Sequence, residues 1–292
     1  MIDFFRVAYS MIDLHCHSTI SDGVLPPADL VRHAHGRGIR ILSLTDHDDL
    51  GGLDEARDVA QSLGMHFING VEISVMWHER TVHIVGLRID PQHAPLREGL
   101  AAMREGRILR AEKIAQELAK SGIHDSLQGA YRYSQGNIIS RAHFARYLVE
   151  LGYAKNTAAV FKRYLVKGKP GYVRHEWASL ATALDWIHGS GGIAVLAHPG
   201  RYDMGKQLLK QLIEEFIQLG GRGIEVVTGS HRPEQFNTFA QIAQQYQLLS
   251  SLGSDYHGKG QSYIDMGSLT RLPASCQPIW HDWPEFHQLS QQ

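Results

Sequence analysis

Short apolar runs alternate with longer amphipathic stretches along this chain, the rhythm of a βα barrel or an open parallel sheet. Strand-like runs fall near Met11–His17, Arg40–Asp46, Met65–Ser74, Thr81–Arg88, Ile193–Ala197, Gly223–Thr228 and Leu248–Ser254. Helical periodicity occupies Pro26–Arg37, Leu53–Leu63, Met204–Leu219 and Pro233–Tyr246. The pattern therefore predicts an α/β fold with roughly seven strands.

Between about residues 91 and 189 the rhythm breaks. The sequence there is helical and basic, with REGRILRAEKIAQELAK, SRAHFARYLVELG and TAAVFKRYLVKG, and shows no strand-like run of any length. This predicts a helical insertion (91–189) that covers the mouth of a barrel built from 11–90 and 190–292. Met11 opens a second "MID" segment directly before the first motif, so residues 1–10 read as a dispensable extension.

Composition narrows the chemistry. A chain of 292 residues with a formal net charge of -1 carries no global field toward nucleic acid or membrane, so an anionic ligand has to be attracted locally. Two cysteines exclude a disulfide framework and a thiolate zinc cage. With neither a signal peptide nor a bilayer-length apolar run, a cytoplasmic protein is expected, with no membrane contact and no obligate protein partner. The 18 histidines point to metal or acid–base work, but only their positions can say which.

Those positions cluster at strand ends, where barrel active sites are built. The first run ends D-L-H-C-H-S; His15 and His17, two residues apart on a strand, share a face and turn Cys16 away. The second ends T-D-H-D at Asp46–Asp48 and the third carries Glu72 in G-V-E-I-S. A Glu between Val and Ile costs several kcal/mol to bury unless it is paired or bound to metal. His83 lies in V-H-I-V-G, His198 in A-H-P, and Asp255 and His257 in G-S-D-Y-H. Nitrogen and oxygen ligands without thiolate suit Mn²⁺, Zn²⁺ or Fe²⁺, and the supply exceeds the needs of one ion.

These motifs, with Asp22 and His143 in S-R-A-H-F-A, resemble the PHP (polymerase and histidinol phosphatase) family, over nearly the whole chain. The S-R-x-H and K-G-K-P-G-Y-V-R-H segments look like its TrpH-like branch. The resemblance implies a distorted seven-stranded (β/α)7 TIM-like barrel with two or three divalent ions, Mn²⁺ foremost. One ion would be held by His15, His17, Glu72 and Asp255. A second would share Glu72 and add His83 and His143, and a third would use Asp22, His47 and His257. Asp46 would orient a ligand imidazole.

The implied chemistry is attack of an activated water on a phosphate monoester. His198 and Asp255 are the catalytic candidates, His198 to protonate the leaving oxygen or to contact phosphate. Substrate grips are sought among Arg104 and Arg107, three apart on one helix face, and among Arg141, Lys169, Arg201 and His231. Bidentate arginine suits a second phosphate, so a small nucleotide, foremost a nucleoside 3',5'-bisphosphate, is the expected substrate. The alternatives are 5'-end trimming of short RNA or DNA and hydrolysis of histidinol phosphate. Of a different class is an amidohydrolase, whose carbamylated lysine finds no lysine on the strand-like runs to build it. A regulatory module without turnover is a further alternative, against which the filled ligand positions speak.

Overall fold

The computed structural model describes residues 11–134, 138–175 and 177–289. Residues 1–10, read from sequence as a dispensable extension, lie outside them. Eight strands form one sheet: β1 Ile12–Asp13, β2 Ile41–Leu44, β3 His66–Trp77, β4 Arg80–Leu87, β5 Ala178–Ser179, β6 Ile193–Leu196, β7 Gly223–Thr228 and β8 Leu249–Gly253. Seven follow the order β1-β2-β3-β4-β6-β7-β8, and β5 pairs on β3.

The ring nearly closes because the chain beyond β1 bonds to that beyond β8. Leu14 N–H donates to Leu252 O (3.2 Å), Asp255 N–H to His15 O (2.8 Å) and His17 N–H to Tyr256 O (2.9 Å). Gly253 permits this closure, since a Cβ there would sit 2.2 Å from that of His15. The architecture is the barrel expected from the sequence, with helices α1 Pro27–Gly36, α2 Leu53–Ser62, α8 Lys206–Gln218 and α9 Pro233–Gln245 among those outside it. The inner strands are apolar on both faces, as buried parallel strands are.

One strand breaks the parallel pattern. β3 and β4 form an antiparallel hairpin, and β4 is also antiparallel to β6. The turn residues His78 and Glu79 both have positive φ, the conformation of a tight hairpin turn. This reversal matters for the site: His83, near the start of β4, pairs with Ser74 beyond Glu72 on β3. A strand start thus reaches the face that the other strands reach with their ends.

The stretch 91–189 divides differently from the sequence reading. It contains a strand, β5, made visible only by pairing with β3. Its helices include α3 Ala94–Ala119, α4 Ser126–Tyr131, α5 Arg141–Glu150, α6 Thr157–Val160 with a π-helical turn at Phe161–Leu165, and α7 Leu180–Gly189. Leu96, Leu100 and Met103 of α3, and Leu180, Ala183, Leu184 and Ile187 of α7, belong to the barrel core. A separate core runs only from Ala111 to Leu165, around Phe144 and Leu148. Both flanks of the insertion bury their apolar stripes on the barrel, so the independently packed lid is narrower than residues 91–189. Among the described residues, no helix is long and apolar enough to cross a membrane.

Candidate metal centre

Four groups of ligand atoms assemble at the barrel mouth: His15, His17 and Asp255; His15, Glu72 and His198; His47, Glu72 and His83; and His17, Asp22, His47 and His257. Within each group the ligand atoms lie within 4.8 Å of one another. Glu72 sits at the hub. Its Oε1 is 2.8 Å from both His83 Nδ1 and His198 Nε2, and its Oε2 is 2.9 Å from His47 Nδ1 and 3.3 Å from His15 Nε2 and His17 Nε2.

The Oε1 contacts are hydrogen bonds, but those of Oε2 are not. Glu72 Oε2, His47 Nδ1, His17 Nδ1, Asp22 Oδ1 and Asp255 Oδ1 are buried and lack a hydrogen-bond partner, a costly state unless something else satisfies them. His15 Nε2 and His17 Nε2 face each other at 3.1 Å. Unsatisfied nitrogen and oxygen atoms from several elements converge, as ligands of shared cations do, and this donor set fits divalent metal ions.

The electrostatics show the same demand for positive charge. Burial alone would raise the pKa of Glu72, but His47, His83 and His15 hold it well below the usual carboxylate range. Asp22 and Asp255 are held low in the same way by neighbouring histidines. Burial pushes His17 down, yet Asp255 and Glu72 outweigh it and lift the imidazole to about 10.

Backbone geometry is tightened at the same points. His198 (φ 27°) and Asp255 (φ 52°) adopt left-handed conformations that a residue with a Cβ enters at a cost. Asp255 is steadied through its other oxygen, 3.3 Å from Arg201 Nη1 and bonded to Ser230 Oγ.

Several residues occupy places other than those expected. His143 is in α5, buried, and does not join Glu72 and His83. Its Nδ1 accepts from Ser140 N–H (3.1 Å), its Nε2 has no hydrogen-bond partner, and the neighbouring Ser140 Oγ lies 3.2 Å from Asp22 Oδ2. His198, not His143, is the further histidine whose ring touches Glu72, with Nε2 2.8 Å from Oε1. Burial pushes His198 down to about 3. Asp46 binds Ser18 N–H (2.8 Å) and the hydroxyls of Ser18 (2.6 Å) and Ser21 (2.5 Å). It shapes the turn leading to Asp22 rather than orienting an imidazole. Cys16 points away as alternation requires, its thiol on Ser43 O.

The basic residues divide into two sets. Arg104 donates to Asp48 O (2.9 Å), and Arg107 to Asp48 Oδ2 and Ser74 Oγ while lying 4.4 Å from the centre of the Trp177 ring. Both fasten the lid to the turn after His47, so neither presents a free fork to substrate. His231 turns inward with both nitrogens engaged, on Gly200 N–H (2.9 Å) and Val226 O (3.2 Å). Lys169 is exposed. Arg141 donates to Leu165 O (3.2 Å) and lies 5.6 Å from the centre of the Phe161 ring. Arg110, which sequence reasoning passed over, joins it: burial, then Arg141 and Arg107, push its pKa down to about 9. Among the described residues neither Arg110 nor Arg141 is in an ion pair with a carboxylate. Also unforeseen was Glu225 on β7, 2.8 Å from His15 Nδ1. Its signature, an acid inside the apolar run G-I-E-V-V, is the one that singled out Glu72.

A fold and a ligand set of this kind define a metal-dependent barrel hydrolase, and the PHP domain family model matches residues 13–229. The chain belongs to the PHP family. It is 49% identical over 272 residues (93% of this chain, 95% of the relative) to the 3',5'-nucleoside bisphosphate phosphatase of Chromobacterium violaceum. It is 42% identical over 280 residues (95% of each) to the 5'-3' exoribonuclease Rnm of Escherichia coli. Among solved structures, one described as an amidohydrolase from Chromobacterium violaceum, holding sulfate and no metal, superposes with a TM-score of 0.91 at 48% identity, covering 96% of both chains.

Proposed function

We propose that this protein is a metal-dependent phosphoesterase that removes a phosphate monoester from a small nucleotide carrying a second phosphate, foremost a nucleoside 3',5'-bisphosphate. The observation that carries this reading is the adjacency of two unlike features. One is a buried cluster of three carboxylates and six imidazoles whose lone pairs converge. The other is the pair Arg110 and Arg141, two guanidiniums with no carboxylate partner among the described residues, whose pKa values are lowered first by burial, Arg141 lying close enough to Arg201 beside Asp255 to feel its charge. A second anionic group on the substrate would satisfy them. The similarity to the bisphosphate phosphatase supports the same substrate.

His15, His17, Asp22, His47, Glu72, His83, His198, Asp255 and His257 would hold the ions, with Mn²⁺ foremost and Zn²⁺ or Fe²⁺ as alternatives. Bound there, divalent cations supply a low-pKa water and neutralise charge on the phosphoryl oxygens. The chain's own residues orient the ester: Arg201, half exposed beside Asp255, borders the reacting end, and Arg110 and Arg141 fix the far phosphate. Such fixation contributes to rate by holding the ester in line for attack. No strand among the described residues carries a lysine, which disfavours a carbamylated-lysine amidohydrolase. The buried free thiol of Cys16 is consistent with work in the reducing cytoplasm.

The relatives named exoribonucleases favour a second reading, trimming of short RNA from the 5' end. Phosphate release from adenosine 3',5'-bisphosphate, AMP, histidinol phosphate and a short 5'-phosphorylated RNA separates these. The proposal expects the highest kcat/KM on the bisphosphate, and Arg141→Met to raise KM at least about tenfold there while changing AMP far less. Equal losses on both substrates would remove the second-phosphate role. Nucleotide release from RNA as the fastest reaction would replace the reading.

A further inference from the structure

β7 carries a bulge directly after Glu225: Glu225 pairs with Ser251, but Val227 pairs with Leu252, leaving Val226 as an extra residue. Bulges of this kind re-aim side chains beside active sites. Here Glu225, 1% exposed, is aimed into the metal-ligand cluster and accepts two hydrogen bonds. Its Oε1 takes His15 Nδ1–H at 2.8 Å and its Oε2 takes His198 N–H at 2.6 Å. The bulged Val226 carbonyl accepts from His231 Nδ1–H (3.2 Å), and His231 Nε2 in turn accepts Gly200 N–H (2.9 Å). One irregularity in one strand therefore grips the 198–200 turn at both ends.

We propose that Glu225 is the positioning residue of the metal centre, holding two facing ligands, His15 and His198, with one carboxylate. For His15 the effect is tautomeric. A carboxylate only accepts, so Nδ1 must carry the proton and Nε2 must present its lone pair toward Glu72, 3.3 Å away. For His198 the effect is conformational. The bond to its N–H steadies a residue at φ 27°, whose ring then reaches Glu72 Oε1 at 2.8 Å. Carboxylates that orient ligand histidines raise metal affinity at other centres by about 10- to 100-fold. The double grip makes Glu225 irreplaceable by its own amide. Gln has one acceptor oxygen, so its NH₂ group would meet either His15 Nδ1–H or His198 N–H, and one of the two bonds must fail.

This inference rests on the metal-dependent reading but not on the identity of the substrate, so its test counts metal rather than product. Glu225→Gln and Glu225→Asp, each stripped of metal, are titrated with Mn²⁺ against a competing chelator beside the unaltered protein, and their metal-free melting is recorded. The expected result is a loss of about 10- to 100-fold in affinity for part of the bound metal in Glu225→Gln, with a folded metal-free protein and turnover restored by excess Mn²⁺. A smaller loss is expected in Glu225→Asp, which keeps two acceptors on a shorter stem. Unchanged affinity in Glu225→Gln would overturn the proposal. So would metal-free unfolding of both variants, which would make Glu225 a structural residue only. Failure of every phosphorylated substrate would leave the metal titration readable and would count against the substrate assignment alone.

Discussion

The barrel wall and the lid face each other across the same mouth, and they use their polar residues in opposite ways. On the wall, His15, His17, Glu72 and Asp255 are buried with ligand atoms gathered together, and His17 Nδ1, Glu72 Oε2 and Asp255 Oδ1 have no hydrogen-bond partner. On the lid, Arg104, Arg107 and Arg146 are saturated: they donate to Asp48 O, to Asp48 Oδ2 with Ser74, and to Asp22 O respectively. The wall stores unsatisfied ligand capacity, whereas these three arginines act as fasteners on the turns carrying His47 and Asp22. Charge near an active site is therefore not equivalent to charge for the substrate; Arg110 and Arg141 differ from the fasteners in donating only to backbone carbonyls, of Val173 and Leu165.

The comparison can be broken most forcefully at Glu72. Substituting Glu72→Ala removes the one side chain that touches five imidazoles, and kcat is expected to fall on the order of 10³-fold with loss of bound metal. Activity within tenfold of the unaltered protein would show that the hub is dispensable. On the lid side, Arg107→Met should act through stability instead. It leaves Asp48 buried and unpaired, costing about 3–5 kcal/mol, visible as a lower denaturation midpoint with metal stoichiometry preserved. A variant that folds normally but loses its second-phosphate preference would return Arg107 to the substrate.

A smaller effect sharpens the wall alone. His17 is raised to about 10 in the absence of metal, largely because Asp255 and Glu72 outweigh its burial. A raised imidazole stabilises the fold fully below its unfolded pKa of about 6.5 and loses that contribution as pH climbs through the folded value. Metal-free protein should therefore lose melting temperature between about pH 7 and 10, whereas metal-loaded protein, whose His17 lone pair is occupied, should not. A flat metal-free profile over that window would contradict the electrostatic account.

What could be read from the sequence follows the same division. Strand alternation has a period of two, so H-x-H, T-D-H and S-D-x-H declare which side chains share a face before any coordinates exist. Two features of the wall escaped. The antiparallel β4 brings His83 in from a strand start, and strand direction leaves no mark in composition. Glu225 carried the same signature as Glu72, an acid among apolar neighbours, yet no motif drew attention to it. On the lid, helical spacing placed Arg104 and Arg107 on one face correctly but could not say that Asp48 waits beneath them. Such partners are long-range contacts, between Arg107 and a residue 59 positions away. The ring of His143 accepts Ser140 N–H, while His198 is the ring found against Glu72, a difference of tertiary placement that spacing along the chain does not encode.

The most direct test of the central claim is phosphate release by Mn²⁺-reconstituted protein beside chelated protein, over a panel of adenosine 3',5'-bisphosphate, AMP, amides and lactones. The account predicts turnover that requires metal and is fastest on the bisphosphate. Turnover confined to amides or lactones, or phosphate release that survives complete chelation, would contradict it.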